Sequence, residues 1–335
     1  MFAHMPIIRD IIYGAVRQGA SFEKLCSLSG ISITDLNDSE KLVPFEQAYR
    51  VWEHALKLTR DPWLGLHIGE RTNATILGLV GHLVQSSRTP QQAFEKICEH
   101  NAVVTDMFFY KIKQTASQVS LVYEPAKAWR QVSPETARHA VDQAMAGTLH
   151  VFEWLTGHRI VPESVTFTAP QPSSIREYER VFKVPVRFNA SANALLFQKM
   201  QLNQPVISYN QSLFSMFDEL VEERKKKTSR SRDFVKEVMD MIMMEFKGMV
   251  PSQEIIASRF FMTPRTFQRK MKDEGITYRE VATRVKKEMA MRWLTLQNKK
   301  VEEIATLLGY SEPSAFQRAF KNWSNVTPGK IRRSV

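Results

Sequence analysis

The chain has 335 residues, 43% of them hydrophobic and 24% charged, which is enough for two globular domains. Its longest apolar run, ILGLVGHLV at 76–84, is about half of the roughly 18–20 residues that cross a bilayer, so a membrane-spanning helix is not expected. Two cysteines, Cys26 and Cys98, provide neither a disulfide framework nor a thiolate metal set. The first ten residues, MFAHMPIIRD, lack the basic and apolar regions of an export signal, so a cytoplasmic location is expected. The net charge of +11 is unevenly placed. Residues 225–335 hold 24 Lys and Arg against 12 Asp and Glu, whereas residues 1–224 hold 22 against 23. The excess in the last third points to a polyanionic partner for that segment and a neutral companion domain.

In chain order, 21–30 and 43–59 carry apolar residues at helical spacing. Residues 89–104 do too, with Thr89 as N-cap and Pro90 at the first helical position. MFFYKIKQ and QVSLVYEP (107–114 and 118–125) read as paired strands across a short polar turn. A helix at 133–156, a strand in SVTFTAP, a short helix near 173–182 and a strand in VPVRFNA complete a mixed α/β segment. The helix at 206–223 has an apolar stripe of Ile207, Leu213, Phe214, Phe217 and Leu220, open to packing on its own domain or to a dimer interface, with the former expected. EERKKKTSRSRD at 222–233 lacks apolar residues and reads as an exposed basic linker.

Beyond the linker, strand signals vanish. Helices are expected at 232–247, 253–260, 264–273, 278–296, 301–308, 313–323 and 328–333, forming a small all-α domain. Two strings there are nearly identical, FQRKMK at 267–272 and FQRAFK at 316–321, 49 residues apart. On a helix, positions i and i+4 share a face, so Phe267 with Met271, and Phe316 with Phe320, turn inward. Gln268–Arg269 and Gln317–Arg318 then project outward, with Lys272 and Lys321 near the rim. Gln can bond adenine bidentately and Arg can bond guanine in the major groove.

Each string follows a shorter helix and a break. The first has Ala257 and the break at Met262–Thr263; the second has Ala305, Gly309 at the break and Ser311 as the expected N-cap. Alanine permits a close helix crossing, and glycine permits the left-handed turn. These are two helix-turn-helix units, of which the first departs from the pattern by carrying Phe261 where glycine is expected. A helix over 277–297, with Tyr278, Val281, Val285, Met289 and Leu296 on one stripe, joins them. Twenty-one residues at about 1.5 Å each span roughly 31 Å, close to the ~34–36 Å between successive major-groove faces.

Residues 232–335 resemble the DNA-binding domain of the AraC/XylS family of bacterial transcription regulators. The match is carried by IIASRFFMTPRTFQRKMKDEG, KKEMAMRWL and VEEIATLLGYSEPSAFQRAFKNWSNVTPGKIR. Residues 1–205 resemble the N-terminal domain of one branch of that family, through WLGLHIGERT, LGLVGHLVQSSRTPQQAFE, HRIVPESVTFTAPQP and YERVFKVPVRFNA. The resemblance implies an N-terminal α/β ligand-sensing and dimerisation domain at 1–205, a helix and basic linker at 206–231, and a double helix-turn-helix domain at 232–335. It implies a homodimer that binds promoter DNA, responds to a small-molecule effector and acts on RNA polymerase, more as activator than repressor. By position, Arg265, Gln268 and Arg269 would contact bases from the first unit, and Pro313, Ser314, Gln317 and Arg318 from the second. Thr263, Lys272 and Lys321 would hold phosphates. Pro313 has no side-chain hydrogen bond to offer a base and Glu312 repels phosphate, so the second unit is expected to read less sequence than the first.

No GxSxG, GxxxxGK[ST], GxGxxG or HExxH motif is present, and neither a catalytic residue, a cofactor nor a metal is assigned. His139 with Asp142, and His150 with Glu153, stand three apart on one helix and read as ordinary polar pairs. SFEKLCSLSGISITDL at 21–36 faintly resembles a helix-turn-helix but has too few cations for DNA. Trp52, Trp63, Tyr110, Trp129 and Trp154 are candidate pocket walls or simply core. Two alternatives remain at this level: an enzyme or damage-response domain fused to a DNA-binding domain, and an architectural, sequence-indifferent DNA binder.

Overall fold

Pro6 in its first turn and Ile8, Ile11, Ile12 and Ala15 on one face make Met5–Arg17 an amphipathic helix, α1, which the sequence reading passed over. Just before it, the short strand β1 (Phe2–His4) pairs antiparallel with β2 (Leu42–Pro44). Helices α2 (Phe22–Ser29), α3 (Ile33–Asn37) and α4 (Phe45–Thr59) pack around α1. This is a computed structural model, and it describes residues 1–246, 249–295, 299–324 and 326–333. The chain divides into two units, Met1–Lys225 and Lys226–Val335.

In the first unit, α5 (Leu64–Gly69) lies against the later helix Pro134–Thr156 so closely that glycine is required. A Cβ on Gly65 would fall 2.2 Å from the His139 carbonyl oxygen, and one on Gly69 would fall 2.7 Å from that of Gln143. A 3-10 turn (Ala74–Leu77) and α6 (Leu79–Gln85) lead to α7 (Pro90–Val104), whose Thr89 cap accepts the Gln92 N–H at 3.1 Å. Strands β3 (Phe108–Gln114) and β4 (Gln118–Pro125) form the expected hairpin. Then come α8 (Lys127–Val132), α9 (Pro134–Thr156), β5 (Ser164–Thr166), α10 (Arg176–Phe182), β6 (Val186–Arg187), β7 (Asn193–Gln198) and α11 (Lys199–Leu202). The sheet order is β3-β4-β7-β5-β6, antiparallel except for β5 with β6. β7 fills the centre and was not foreseen.

α12 runs unbroken over Gln211–Met244, and the change of unit falls inside it. The run 222–233, expected as an exposed linker, is therefore helical. Lys, Arg and Glu are good helix formers, and no Gly or Pro interrupts 211–244. The apolar stripe expected to pack on its own domain does so through Phe214 and Phe217. Leu213 and Leu220 stay more than two-fifths exposed, with Met216 beside them, and Ile207 precedes the helix at 74% exposure.

The second unit is all-helical among its described residues: the end of α12, α13 (Gln253–Arg259), α14 (Pro264–Asp273), α15 (Tyr278–Thr295), α16 (Val301–Leu307), α17 (Pro313–Ser324) and α18 (Pro328–Arg333). One core serves all of them, with Phe234 and Val238 from α12, Val281 and Val285 from α15, and Ile304 from α16.

Candidate nucleic-acid interface

α13 with α14, and α16 with α17, form two turns of the same hydrogen-bonded design. In the first, the Phe261 N–H donates to Ser258 O (3.0 Å) and the Met262 N–H to Ala257 O (2.9 Å). In the second, the Gly309 N–H donates to Thr306 O (3.0 Å) and the Tyr310 N–H to Ala305 O (2.9 Å). Phe261 (φ 54) and Gly309 (φ 74) both adopt the left-handed conformation this requires. For a bulky residue that costs about 1 kcal/mol, and the Phe261 ring is 98% exposed, with no burial to offset it. Ala257 and Ala305 are buried at the crossings.

Helices α14 and α17 begin differently. Thr263 caps α14, its hydroxyl accepting the Thr266 N–H at 3.2 Å. The second turn is one residue longer, so the residue before Pro313 is Glu312 and not the expected cap Ser311. The Glu312 carboxylate accepts the Ser314 hydroxyl at 3.0 Å, which occupies one of the expected base-contacting groups.

Phe267, Met271, Phe316 and Phe320 are buried, anchoring each helix by one face. The opposite faces are bare: Arg265, Gln268, Arg269, Pro313, Ser314, Gln317 and Arg318 are all exposed, as are Thr263, Lys272 and Lys321. Among the described residues, Arg265, Gln268, Arg269, Gln317, Arg318, Lys272 and Lys321 enter no side-chain hydrogen bond or ion pair. Lys270 differs: its ammonium lies 3.7 Å from the centre of the Phe234 ring, a cation–π contact that removes it from the bare face.

α15 touches both helix-turn-helix segments. Tyr278 packs edge-on against Phe267 (centroids 5.8 Å apart), and two turns later Lys286 lies over Tyr310 at 4.6 Å. Val281, Val285 and Met289 are buried as expected, while Leu296 falls outside the described residues. The 18 helical residues span about 27 Å, shorter than the 277–297 reading.

In the first unit, a cavity of about 100 Å³ is walled by β1, α1, α4, the 3-10 turn, α6, α7, β3, α8 and α9. Trp52, Tyr110 and Trp129 line it. Trp63 instead packs against Tyr178, and Trp154 is 56% exposed. His139 and Asp142 do not bond each other: His139 Nδ1 accepts the Gly65 N–H at 3.2 Å, and Asp142 accepts Arg138 (3.0 Å) and the Tyr178 hydroxyl (3.0 Å). The segment 21–36 does turn like a helix-turn-helix, through Gly30 at φ 64, but its second helix is five residues long and Asp35 pairs with Lys41. Glu99, His100 and Glu222 bring three ligand-type atoms within 4.8 Å. Lys96 already occupies Glu99 (3.0 Å) and Lys225 occupies Glu222 (3.3 Å), so cations of the chain itself fill that cluster.

A family profile described as the arabinose-binding domain of AraC transcription regulator, N-terminal, matches residues 19–206, and a helix-turn-helix profile matches 256–334. The ornithine utilization regulator of Pseudomonas aeruginosa is 25% identical over 285 residues, covering 84% of this chain and 81% of that protein. The transcriptional regulator VirS of Mycobacterium tuberculosis is 38% identical over 81 residues, 24% of each chain. The solved structure of CdpR, a transcriptional regulator of P. aeruginosa, aligns with 93% of this chain and 96% of its own at 20% identity and TM-score 0.44. With an α/β domain matching the first profile and a double helix-turn-helix domain matching the second, the chain belongs to the AraC family of DNA-binding transcriptional regulators.

Proposed function

We propose that the protein is an effector-responsive activator that reads two consecutive major grooves of promoter DNA. The observation that carries this is the pair of bare Gln-Arg faces, each anchored by a buried Phe in one shared core. Arg265, Gln268 and Arg269 read bases from α14; Gln317 and Arg318 read them from α17, beside Pro313 and Ser314. Thr263, Lys272 and Lys321 fix register on phosphates. Engagement of Ser314 by Glu312 supports a second unit that reads less sequence than the first. An effector in the first-unit cavity shifts the population of DNA-competent arrangements, and the bound dimer recruits RNA polymerase in the cytoplasm. The exposed stripe of Leu213, Met216 and Leu220 on α12 supports self-association.

A non-catalytic role is supported by the thiols. Burial, with Glu95 alongside, pushes Cys98 up to about 12, and burial raises Cys26 as well, the reverse of an activated nucleophile. Selection of sites from random duplexes by the full chain tests the reading. Two short motifs about ten base pairs apart support two-groove recognition. Binding without an enriched motif, collapsing with salt, would replace it with the architectural alternative.

A further inference from the structure

The first-unit cavity owes its space to α9, where Ala140, Ala144 and Gly147 recur on one face. No charged side chain lines it. The Asp10 carboxylate, which is not part of the lining, accepts the Thr72 hydroxyl (2.7 Å) and the Gln143 amide (2.8 Å). Further donors are spent in the same way: Thr105 donates to Phe2 O at 2.8 Å, Thr148 to Ala144 O at 2.8 Å and Trp129 Nε1 to the Thr136 hydroxyl at 2.8 Å. Two lining residues keep a side-chain donor with no partner among the described residues: Asn73, which is exposed, and, further in, Tyr110 through its hydroxyl. Behind it, its ring centroid 5.9 Å away, Tyr123 is 1% exposed, and its hydroxyl lies near Thr148 without a hydrogen bond of normal geometry. Burial pushes both phenols well above their ordinary range, so they are neutral donors.

We infer that this cavity takes an uncharged, largely apolar molecule of about ring size, whose one oxygen accepts a hydrogen bond from Tyr110. This rests on the reading of the first unit as the effector domain. Size follows from volume: a dry apolar cavity of ~150 Å³ holds a benzene ring, and this one is comparable at about 100 Å³. Charge is excluded by the walls, because an ammonium or carboxylate buried without a counter-ion loses several kcal/mol of hydration. An amino acid brings two such groups. A sugar brings a ring of hydroxyls, each needing a partner, to a cavity whose free side-chain donors among the described residues are Tyr110 and the exposed Asn73 amide.

The test is thermal unfolding of the full chain with benzyl alcohol, benzoate and benzylammonium, three probes of one shape, and with arabinose and ornithine. Benzyl alcohol is expected to raise Tm by about 5 °C at 100-fold above its Kd, and the other four to leave it unchanged. Ala144→Leu fills the cavity and should abolish the shift. Tyr110→Phe removes only the hydroxyl and should weaken benzyl alcohol about 3–10-fold. An equal or larger shift with either ion or either polar metabolite overturns the inference, as does no shift with benzyl alcohol at millimolar concentration, or an Ala144→Leu variant that still responds. Affinity for the selected DNA site is measured beside it. A neutral probe that binds the cavity without changing DNA affinity leaves the ligand class standing and removes the effector reading. DNA affinity that responds only to a charged or polar probe does the opposite.

Discussion

The two units treat their ionisable groups in opposite ways. The first encloses them: His139 and Asp142 are fully buried, and His67 sits between Asp61 (2.5 Å) and Glu177 (2.8 Å). The second leaves Arg265, Arg269, Arg318, Lys272 and Lys321 bare and unpaired among its described residues. An enclosed ionisable group answers to protons, and a bare charge to salt and to polyanions. Acidity should therefore act on the fold of the first unit and ionic strength on the DNA affinity of the second.

The largest expected effect tests the enclosed side. Burial and the adjacent Arg138 hold His139 down to about 3 from 6.5, so as pH falls below about 6.5 the unfolded chain gains a proton the fold refuses, and stability is lost. Burial raises Asp142 from 3.8 to about 7, so as pH rises from about 4 the unfolded chain releases a proton the fold keeps, and stability is again lost. The two slopes oppose each other between about pH 4 and 6.5, leaving the wild type nearly flat. Asp142→Asn should unmask a rise with pH of about 1.4 kcal/mol per unit, roughly 3 kcal/mol over two units, and His139→Gln the matching fall. Urea midpoints across that range measure both, and variants that run parallel to wild type would show that neither group is held as described.

On the bare side, Arg269→Ala should cost about 1–3 kcal/mol on the preferred site and relax one base position, with Arg318→Ala costing less. Competition binding across single-base site variants reads this out; unchanged preference in Arg269→Ala would remove α14 as a reader. Next, Gly309→Ala should cost about 1 kcal/mol in unfolding experiments, purely from the backbone, since a Cβ there meets open space. Phe261→Gly should return less than about 1 kcal/mol, because glycine also gains freedom in the unfolded chain. The smallest change is Lys321→Ala, which should weaken all sequences alike and flatten the salt slope by about one unit; an effect confined to one sequence would move Lys321 from phosphate to base.

What could be read from the sequence was what is local. The helices from α13 to α18 are set by spacing, caps and breaks within a dozen residues of one another, and their limits lie within a few residues of those expected. The bare faces followed from the same periodicity. β7 did not, because its partner β4 lies some 75 residues upstream and six residues of alternating burial are a weak signal alone. α12 was cut at a charge run that proved to be good helix. The cavity was invisible because its walls come from nine elements spread over β1 to α9, whereas Phe261 was visible as an exception and kept the left-handed turn regardless.

The shared core built on α15 sets which changes the domain can absorb. One residue inserted in that helix would swing α17 by about 100° and advance it about 1.5 Å, away from the duplex face proposed for α14. Substitutions at the exposed Gln and Arg positions leave the buried Phe anchors beneath them in place. On the proposed reading, new operator sequences are reachable one side chain at a time, while the length of α15 has to stay fixed.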